Sequence, residues 1–149
     1  MLTTELKKYI DKSVLCWLAT SSIDNKPNVS PKEIFNYYGK NTLIIANIAS
    51  PQSIKNIKKN KNVSVSFIDV LVQKGFQLKG TAEIIVKSDT DFKSMENVLL
   101  KMTEGEFPFS SIIKIKIEHT EPIIAPSYLF YPQTTEDEQV KNARKSYGF

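Results

Sequence analysis

The segment from Thr42 to Asp69 constrains the fold most, because it combines a strand, a break, a helix start and a second strand. Apolar residues predict a strand over residues 42–47, and Ser50-Pro51 ends it. Proline suits the first position of a helix, where its missing N–H would be unpaired, so we predict a short helix over residues 51–60. Residues 63–70 then alternate apolar and small polar side chains, as a half-buried strand does. The unpaired N–H groups of the helix start form a potential site for a phosphate.

The rest of the chain is predicted to form short strands and a few helices. Strand patterns cover residues 14–22, 28–38, 75–86 and 113–118, and helical patterns cover residues 4–13, 89–102 and 135–145. Six strands joined mostly by turns favour a mainly β (α+β) fold, an antiparallel barrel with peripheral helices. A doubly wound parallel fold would need a helix after nearly every strand. The 149 residues have the length of a single domain, residues 1–149.

Three prolines and one helix-capping pattern indicate where particular strands and helices are interrupted, end or begin. Pro31 falls inside the second predicted strand, where proline cannot donate a ladder hydrogen bond, so we expect an edge strand or a bulge there. Pro122 and Pro126 bracket a final extended piece. Thr135 and Glu138 have the spacing of a capping box, which predicts the start of a terminal helix.

Charge and composition restrict the functional class. The net charge of +4 is the difference between 20 basic and 16 acidic residues, and all the basic residues are lysines except Arg144. Nucleic-acid binders usually concentrate arginine, so we predict no nucleic-acid partner and keep binding of single-stranded nucleic acid as an alternative. No apolar run is long enough to span a bilayer, which predicts no membrane partner. The lone cysteine, Cys16, excludes an internal disulfide and suits a cytoplasmic location.

Two polar groups are candidates for ligand binding. Ser50 is a favoured N-cap, and Gln52 and Ser53 add side-chain donors beside the helix start. A capped helix without a ligand is the alternative. Ser30-Pro31-Lys32 provides a hydroxyl and a cation where the strand ladder is interrupted. Its alternative is a bulge with a solvent-facing lysine.

No residue has both the type and the context of a catalytic acid, base or nucleophile. His119 is the only histidine, so a His-rich metal site is excluded and a Ser-His-Asp triad is unsupported; we expect it at the surface. Cys16 lies between apolar residues of a strand and should be buried. The aromatic residues Tyr128, Phe130 and Tyr131 either pack against the domain or contact a planar ligand or a partner subunit.

Three stretches, taken in order, resemble the pyridoxamine 5′-phosphate oxidase-like family of FMN-binding split barrels. They are VLCWLATSSIDNKPNVSPK, LIIANIASPQSIKNIKKNKNVSVSFID and GFQLKGTAEII, and the resemblance covers about residues 6–131. It implies a six-stranded antiparallel split β-barrel with peripheral helices that bends at Gly80. It also implies FMN as the cofactor.

The resemblance assigns the cofactor contacts residue by residue. The residues implied are Ser30, Pro31, Lys32, Ala46, Asn47, Ile48, Ser50, Gln52 and Ser53. The first three would line the flavin ring and ribityl chain, the next three would approach the ring edge, and the last three would hold the phosphate. Many members carry arginine or lysine at the position of Pro51 or Gln52, and this chain does not. The phosphate would therefore rely on the helix start, hydroxyls, and Lys32 or Lys55.

The resemblance further implies a homodimer with the flavin at the subunit interface, to which the sixth strand and a carboxy-terminal extension over residues 127–149 would contribute. The expected activity is FMN-dependent oxidoreduction with a small-molecule electron donor and acceptor. The arginine-containing carboxy-terminal motif of the vitamin oxidases is missing, so pyridoxamine phosphate is not the expected substrate. The alternative is a non-catalytic flavin or haem sensor, in which His119 would be the axial ligand.

Overall fold

The computed structural model describes every residue from Met1 to Phe149. Its strands are β1 (Cys16–Ser21), β2 (Pro27–Lys32), β3 (Phe35–Tyr38), β4 (Thr42–Ala46), β5 (Asn62–Asp69), β6 (Lys74–Val86) and β7 (Ser111–Ile124). Its helices are α1 (Thr4–Lys12), α2 (Pro51–Lys59), α3 (Phe92–Thr103), α4 (Pro126–Phe130) and α5 (Glu136–Tyr147). Every strand pair is antiparallel, and the spatial order is β2-β1-β5-β6-β7-β4-β3.

The sheet curls into a half-barrel because its two edges are tied together. Strands β2 and β3 lie at opposite edges of the order, yet only residues 33–34 separate them in the chain. Such a short connection brings the edges close, which a flat sheet of seven strands could not do. The predicted mainly β class, with an antiparallel barrel and peripheral helices, is confirmed.

The number of strands differs from the prediction, because residues 28–38 form two strands and not one. β2 pairs with β1, whereas β3 pairs with β4, and residues 33–34 bend between them. Sequence periodicity does not reveal a change of partner, so six strands were expected and seven are observed. Pro31 lies in the edge strand β2, as predicted.

In the carboxy-terminal third, the last strand is longer than predicted, and the predicted capping box is present. Strand β7 continues to Ile124 because it pairs with β6 along nearly its whole length. Pro126 then begins the short helix α4, since proline suits the first helical turn. At α5 the capping box is present: Glu138 N–H donates to Thr135 Oγ1 (3.1 Å), and Thr135 N–H donates to the Glu138 carboxylate (3.0 Å).

Two apolar clusters fill the fold. The larger has 18 buried residues, to which α1 contributes Leu6, Tyr9 and Ile10 and the strands contribute most of the rest. The smaller has eight and packs the apolar stripe of α3, with Met95 and Leu99 fully buried, against β4 and β7. Both clusters hold the sheet in its curled form.

A register shift marks the bend in the long β6–β7 ribbon. It lies between Lys79 and Gly80, the position where the resemblance implies a bend. A Cβ atom at Gly80 would collide with the carbonyl oxygen of Lys116, so a larger residue is excluded there. No helix of the chain has both the length and the apolar character needed to cross a membrane.

Candidate functional site

Two serines join strand β2 to the first turn of helix α2. The hydroxyl oxygens of Ser30 and Ser53 lie 3.2 Å apart, which is hydrogen-bond distance. Ser53 is buried, with 1% of its surface exposed, and Ser30 is half-buried. The pair fixes the start of α2 against the edge strand, so two of the predicted polar groups meet at one place.

The start of α2 keeps free backbone donors. Ser50 occupies the N-cap position, but its hydroxyl donates to the carbonyl oxygen of Ile48 (3.2 Å) and does not cap the helix. The first helical hydrogen bond runs from Ile54 N–H to the Ser50 carbonyl. The N–H groups of Gln52 and Ser53 therefore have no acceptor in the protein. Ser50 is thus the N-cap residue, as predicted, but its side chain makes no capping hydrogen bond, and the free donors strengthen the anion-site interpretation.

The loop before α2 is held in a strained conformation. Ala49 has φ +51°, a left-handed value that is costly for a residue with a side chain. Asn47, two residues earlier, is bound to strand β7: its side-chain Nδ2 donates to Ser111 Oγ (2.8 Å), and its backbone N–H donates to the Ser111 carbonyl (3.1 Å). Asn47 thus anchors the loop.

A chain of side-chain hydrogen bonds connects α2 to strand β1. Gln52 Nε2 donates to Asn56 Oδ1 (2.8 Å), and Asn56 Nδ2 donates to Thr20 Oγ1 on β1 (3.0 Å). Asn56 and Thr20 are both buried. The amide nitrogen of Gln52 therefore donates to Asn56, although the side chain itself is exposed. Sequence reasoning missed Asn56 and Thr20, since neither lies beside a break in the chain.

An apolar cavity of about 450 Å³ opens beside this junction. Pro31 and Lys32 of β2 line it together with Ala46 and Ile48, so four of the predicted site residues share one pocket. The remaining walls come from elsewhere in the chain: Val14, Glu33, Ile34, Met102, Thr103 and Phe107. The volume falls within the range of small-molecule sites. The end of α3 and the loop after it had no sequence signal, because only folding brings them to β2.

Lys32 is the charged residue buried at this cavity. It is 6% exposed and forms no ion pair. Burial lowers the pKa of its ammonium group. Its cross-strand partner Cys16 is fully buried, and burial raises the pKa of that thiol to about 12, so the thiol stays neutral near pH 7. A solvent-facing Lys32, the alternative left open by the sequence, is wrong.

Three exposed lysines line a second, polar cavity of about 500 Å³ beside α2. They are Lys26, Lys55 and Lys59, and the side chain of Gln52 faces the same space. Asp24 is also there, and its pKa is lowered by the Ser22 hydroxyl. This chain has no cation at Pro51 or Gln52, but these three lysines place positive charge beside α2.

His119 lies outside both cavities. It is exposed on β7, as predicted, and its Nε2 is 2.9 Å from a carboxylate oxygen of Glu121. No group of three or more histidine, cysteine, aspartate or glutamate side chains is arranged to hold a metal ion. The arrangement of α2, β2 and the apolar cavity instead suits a ligand with an anionic end and a flat apolar body.

Comparison with known proteins gives one family. Residues 2–123 match the family model for pyridoxamine 5′-phosphate oxidase. Comparison with curated proteins gives no match.

Solved structures agree with that family. HupZ of group A Streptococcus is 25% identical with a TM-score of 0.70, over 80% of this chain and 92% of its own. A Lactobacillus delbrueckii protein classed as a pyridoxamine 5′-phosphate oxidase is 24% identical with a TM-score of 0.67, over 80% and 93%. An FMN-binding protein from Syntrophomonas wolfei is 16% identical with a TM-score of 0.70, over 83% and 87%. The last two share the fold with this chain.

Proposed function

The chain belongs to the pyridoxamine 5′-phosphate oxidase family, and on that premise we propose that it binds FMN and acts as a flavin-dependent oxidoreductase on a small molecule. The observation that carries the proposal is the junction at Ser53. This buried serine begins α2, contacts Ser30 of β2, and so joins a helix start to the strand whose next residues line the apolar cavity.

The phosphate of FMN would bind at the start of α2. The N–H groups of Gln52 and Ser53 have no acceptor in the protein, and the helix dipole favours an anion there. The hydroxyl groups of Ser30, Ser50 and Ser53 lie at the same junction. Lys55, one turn further along α2, supplies a cation on the outer side.

The flavin ring would enter the apolar cavity. Pro31, Ala46 and Ile48 provide apolar walls for the ring. The residues present therefore fit the two ends of FMN, an anionic one and an aromatic one. When bound, FMN supplies the electron-transfer chemistry, and the chain supplies binding, orientation and electrostatics.

We further propose a homodimer with the flavin at the subunit interface. In support, an apolar groove of about 560 Å³ on the outer face of β1 and β5 exposes Trp17 (47%), Ile68 (37%) and Val70 (48%). Clustered exposed apolar side chains of this kind mark protein interfaces. In this proposal residues 1–149 form one domain, and residues 127–149 contribute to the interface through the exposed side chains of Leu129, Phe130 and Tyr131.

The alternatives receive less support. A haem site would need His119 as a ligand, and that residue contacts Glu121 outside the apolar cavity. A nucleic-acid surface would need aromatic residues among the cations, whereas Lys26, Lys55 and Lys59 surround a cavity with one apolar residue, Ile23. The buried lone thiol of Cys16 suits a reducing compartment such as the cytoplasm.

Titration of the purified, flavin-free protein with FMN and with riboflavin tests the proposal. We expect quenching of FMN fluorescence that saturates at one flavin per chain. Riboflavin, which has the same ring and no phosphate, should bind at least about tenfold more weakly, since a charge-assisted hydrogen bond contributes about 1.5–3 kcal/mol. Failure of FMN to saturate the protein would contradict the function. Equal affinity for the two flavins would contradict the phosphate site.

The catalytic part needs a separate experiment. The FMN-loaded protein is mixed anaerobically with NADH or NADPH, and the loss of flavin absorbance is followed. Reduction by either nucleotide, followed by reoxidation by a small organic acceptor, supports an oxidoreductase. A flavin that neither nucleotide reduces, but that dithionite does, supports the non-catalytic flavin-binding alternative.

A further inference from the structure

Lys32 differs from every other buried polar residue of the chain. Seven polar or charged residues are buried, namely Ser13, Thr20, Lys32, Ser53, Asn56, Thr103 and Gln139. Six of them have a side-chain hydrogen bond within the protein. Lys32 has neither a hydrogen bond nor an ion pair, and its ammonium nitrogen keeps some contact with solvent, at the apolar cavity that the residue lines.

The lysine faces the proposed ring site and not the proposed phosphate site. Residues two positions apart share one face of a strand, so Ser30 and Lys32 lie on the same face of β2, about 7 Å apart. Ser30 contacts Ser53 at the start of α2, while Lys32 lines the apolar cavity. A flavin whose phosphate sits at α2 and whose ring lies in the cavity therefore brings its ring to Lys32.

The proposed phosphate site does not need Lys32, and no neighbouring carboxylate or thiolate neutralises its charge. The start of α2 offers free N–H donors, and Lys55 and Lys59 flank the helix on its polar side. Glu33 also lines the apolar cavity, but it is exposed and makes no ion pair with the lysine. The neighbouring Cys16 carries no charge near pH 7, because burial raises its pKa to about 12.

We propose, resting on the FMN function above, that Lys32 stabilises the negative charge of the reduced flavin ring and thereby raises the midpoint potential of the bound flavin. The oxidised ring is neutral. On gaining two electrons and one proton from a reductant it carries one negative charge, which a second proton would remove. A cation in a site of low dielectric favours the anionic form over both neutral forms.

Potentiometry on the FMN-loaded protein tests this role. Dithionite supplies the electrons and a reference dye reports the potential, for the native chain, Lys32→Met, Lys32→Arg and the control Lys116→Met. Lys116 is an exposed lysine of β7 outside the cavity. Fluorescence titration measures the affinity of each variant for oxidised FMN, which separates flavin binding from flavin tuning.

For Lys32→Met we expect at least a tenfold loss of affinity for the reduced flavin relative to the oxidised one, which lowers the midpoint potential by about 30 mV. The midpoint potentials of Lys32→Arg and Lys116→Met should stay near the native value.

The pH dependence of the midpoint potential should also differ between the native chain and Lys32→Met near neutral pH. The native potential should fall by about 30 mV per pH unit, as one proton per two electrons requires, and that of Lys32→Met by about 59 mV.

Three results would overturn the inference. The first is a native-like potential in Lys32→Met, and the second is a two-proton pH slope in the native protein. The third is a tenfold or greater loss of affinity for oxidised FMN in Lys32→Met, which would assign the lysine to binding of the neutral ring or the phosphate. Failure of the native chain to bind FMN would instead contradict the proposed function itself.

Discussion

Ser30 and Ser53 are 23 positions apart in the sequence, yet their hydroxyl oxygens lie 3.2 Å from each other where an edge strand meets a helix start. The contact aligns two features that the chain encodes separately: the uncapped N–H groups of α2 and the strand segment that lines the apolar cavity. A ligand that spans both must match this spacing. The proposed flavin site depends on that alignment.

Replacing Ser53 by glutamate should abolish FMN binding. A carboxylate about 4 Å from the phosphate would oppose binding by about 4 kcal/mol at the effective dielectric of a protein surface, which is a loss of more than a hundredfold in affinity. Flavin fluorescence titration measures the effect. The milder variant Ser53→Ala should fold and lose only part of the affinity, because the backbone donors remain.

Ser94→Glu is the matched control. Ser94 is the third residue of α3, as Ser53 is of α2, but it is exposed and bonded to Tyr38, away from the cavity. It should bind FMN as the native chain does. If Ser53→Glu folds, as judged by circular dichroism, and keeps native affinity, the phosphate site is elsewhere.

The sequence was sufficient to predict most elements, because each has a local cause. Pro51 begins α2, Thr135 and Glu138 cap α5, and Pro31 restricts its strand to an edge. The division of residues 28–38 into two strands was missed, because it depends on β2 and β3 pairing with different neighbours.

Only part of the candidate site could be predicted, because the rest also depends on contacts between distant segments. Residues beside chain breaks, such as Ser30 and Ser53, have local signals. The cavity walls Met102, Thr103 and Phe107 have none, because their position depends on how α3 packs against β4 and β7. The unusual burial of Lys32 was also invisible, since a lysine in an edge strand is ordinarily solvated.

Removing the charge of Lys32 should stabilise the flavin-free protein. Burial lowers the pKa of this lysine in the folded state, so the unfolded chain binds more protons between the folded pKa and the ordinary value of 10.5. Native stability therefore rises with pH across that window, and below it the partly desolvated charge is destabilising. Lys32→Met removes this cost.

Urea denaturation of Lys32→Met and the native chain at pH 7 and pH 10 measures the effect. At pH 7 the variant should have a larger free energy of unfolding and so a higher urea midpoint, by about 0.3–1 M for each kcal/mol, and the advantage should shrink at pH 10. Lys116→Met, which removes an exposed charge, should change little at either pH. A variant less stable than the native chain at pH 7 would contradict the unpaired state of Lys32.

Cys16 should be unreactive in the folded protein. Its side chain is fully buried, and burial raises the thiol pKa to about 12, so both access and the thiolate fraction are low at pH 8. Reaction with Ellman's reagent should be at least about a hundredfold slower in buffer than in guanidinium chloride. Rapid stoichiometric labelling without denaturant would show that β1 opens locally.

A charge on the outer face of β1, or on Val70 just after β5, should separate the proposed dimer. Trp17 and Val70 are each about half exposed and line the same apolar groove, so Trp17→Lys or Val70→Lys would bury an unpaired ammonium group in the interface. Light scattering coupled to gel filtration should report a dimer for the native chain and a monomer for each variant. FMN affinity should fall in the variants that lose the dimer, because the proposed flavin site is completed by the partner subunit. Val86→Lys is the matched control, since Val86 is 43% exposed at the end of β6 and lies outside the groove and both cavities. A native chain that is monomeric while binding FMN would contradict the shared site.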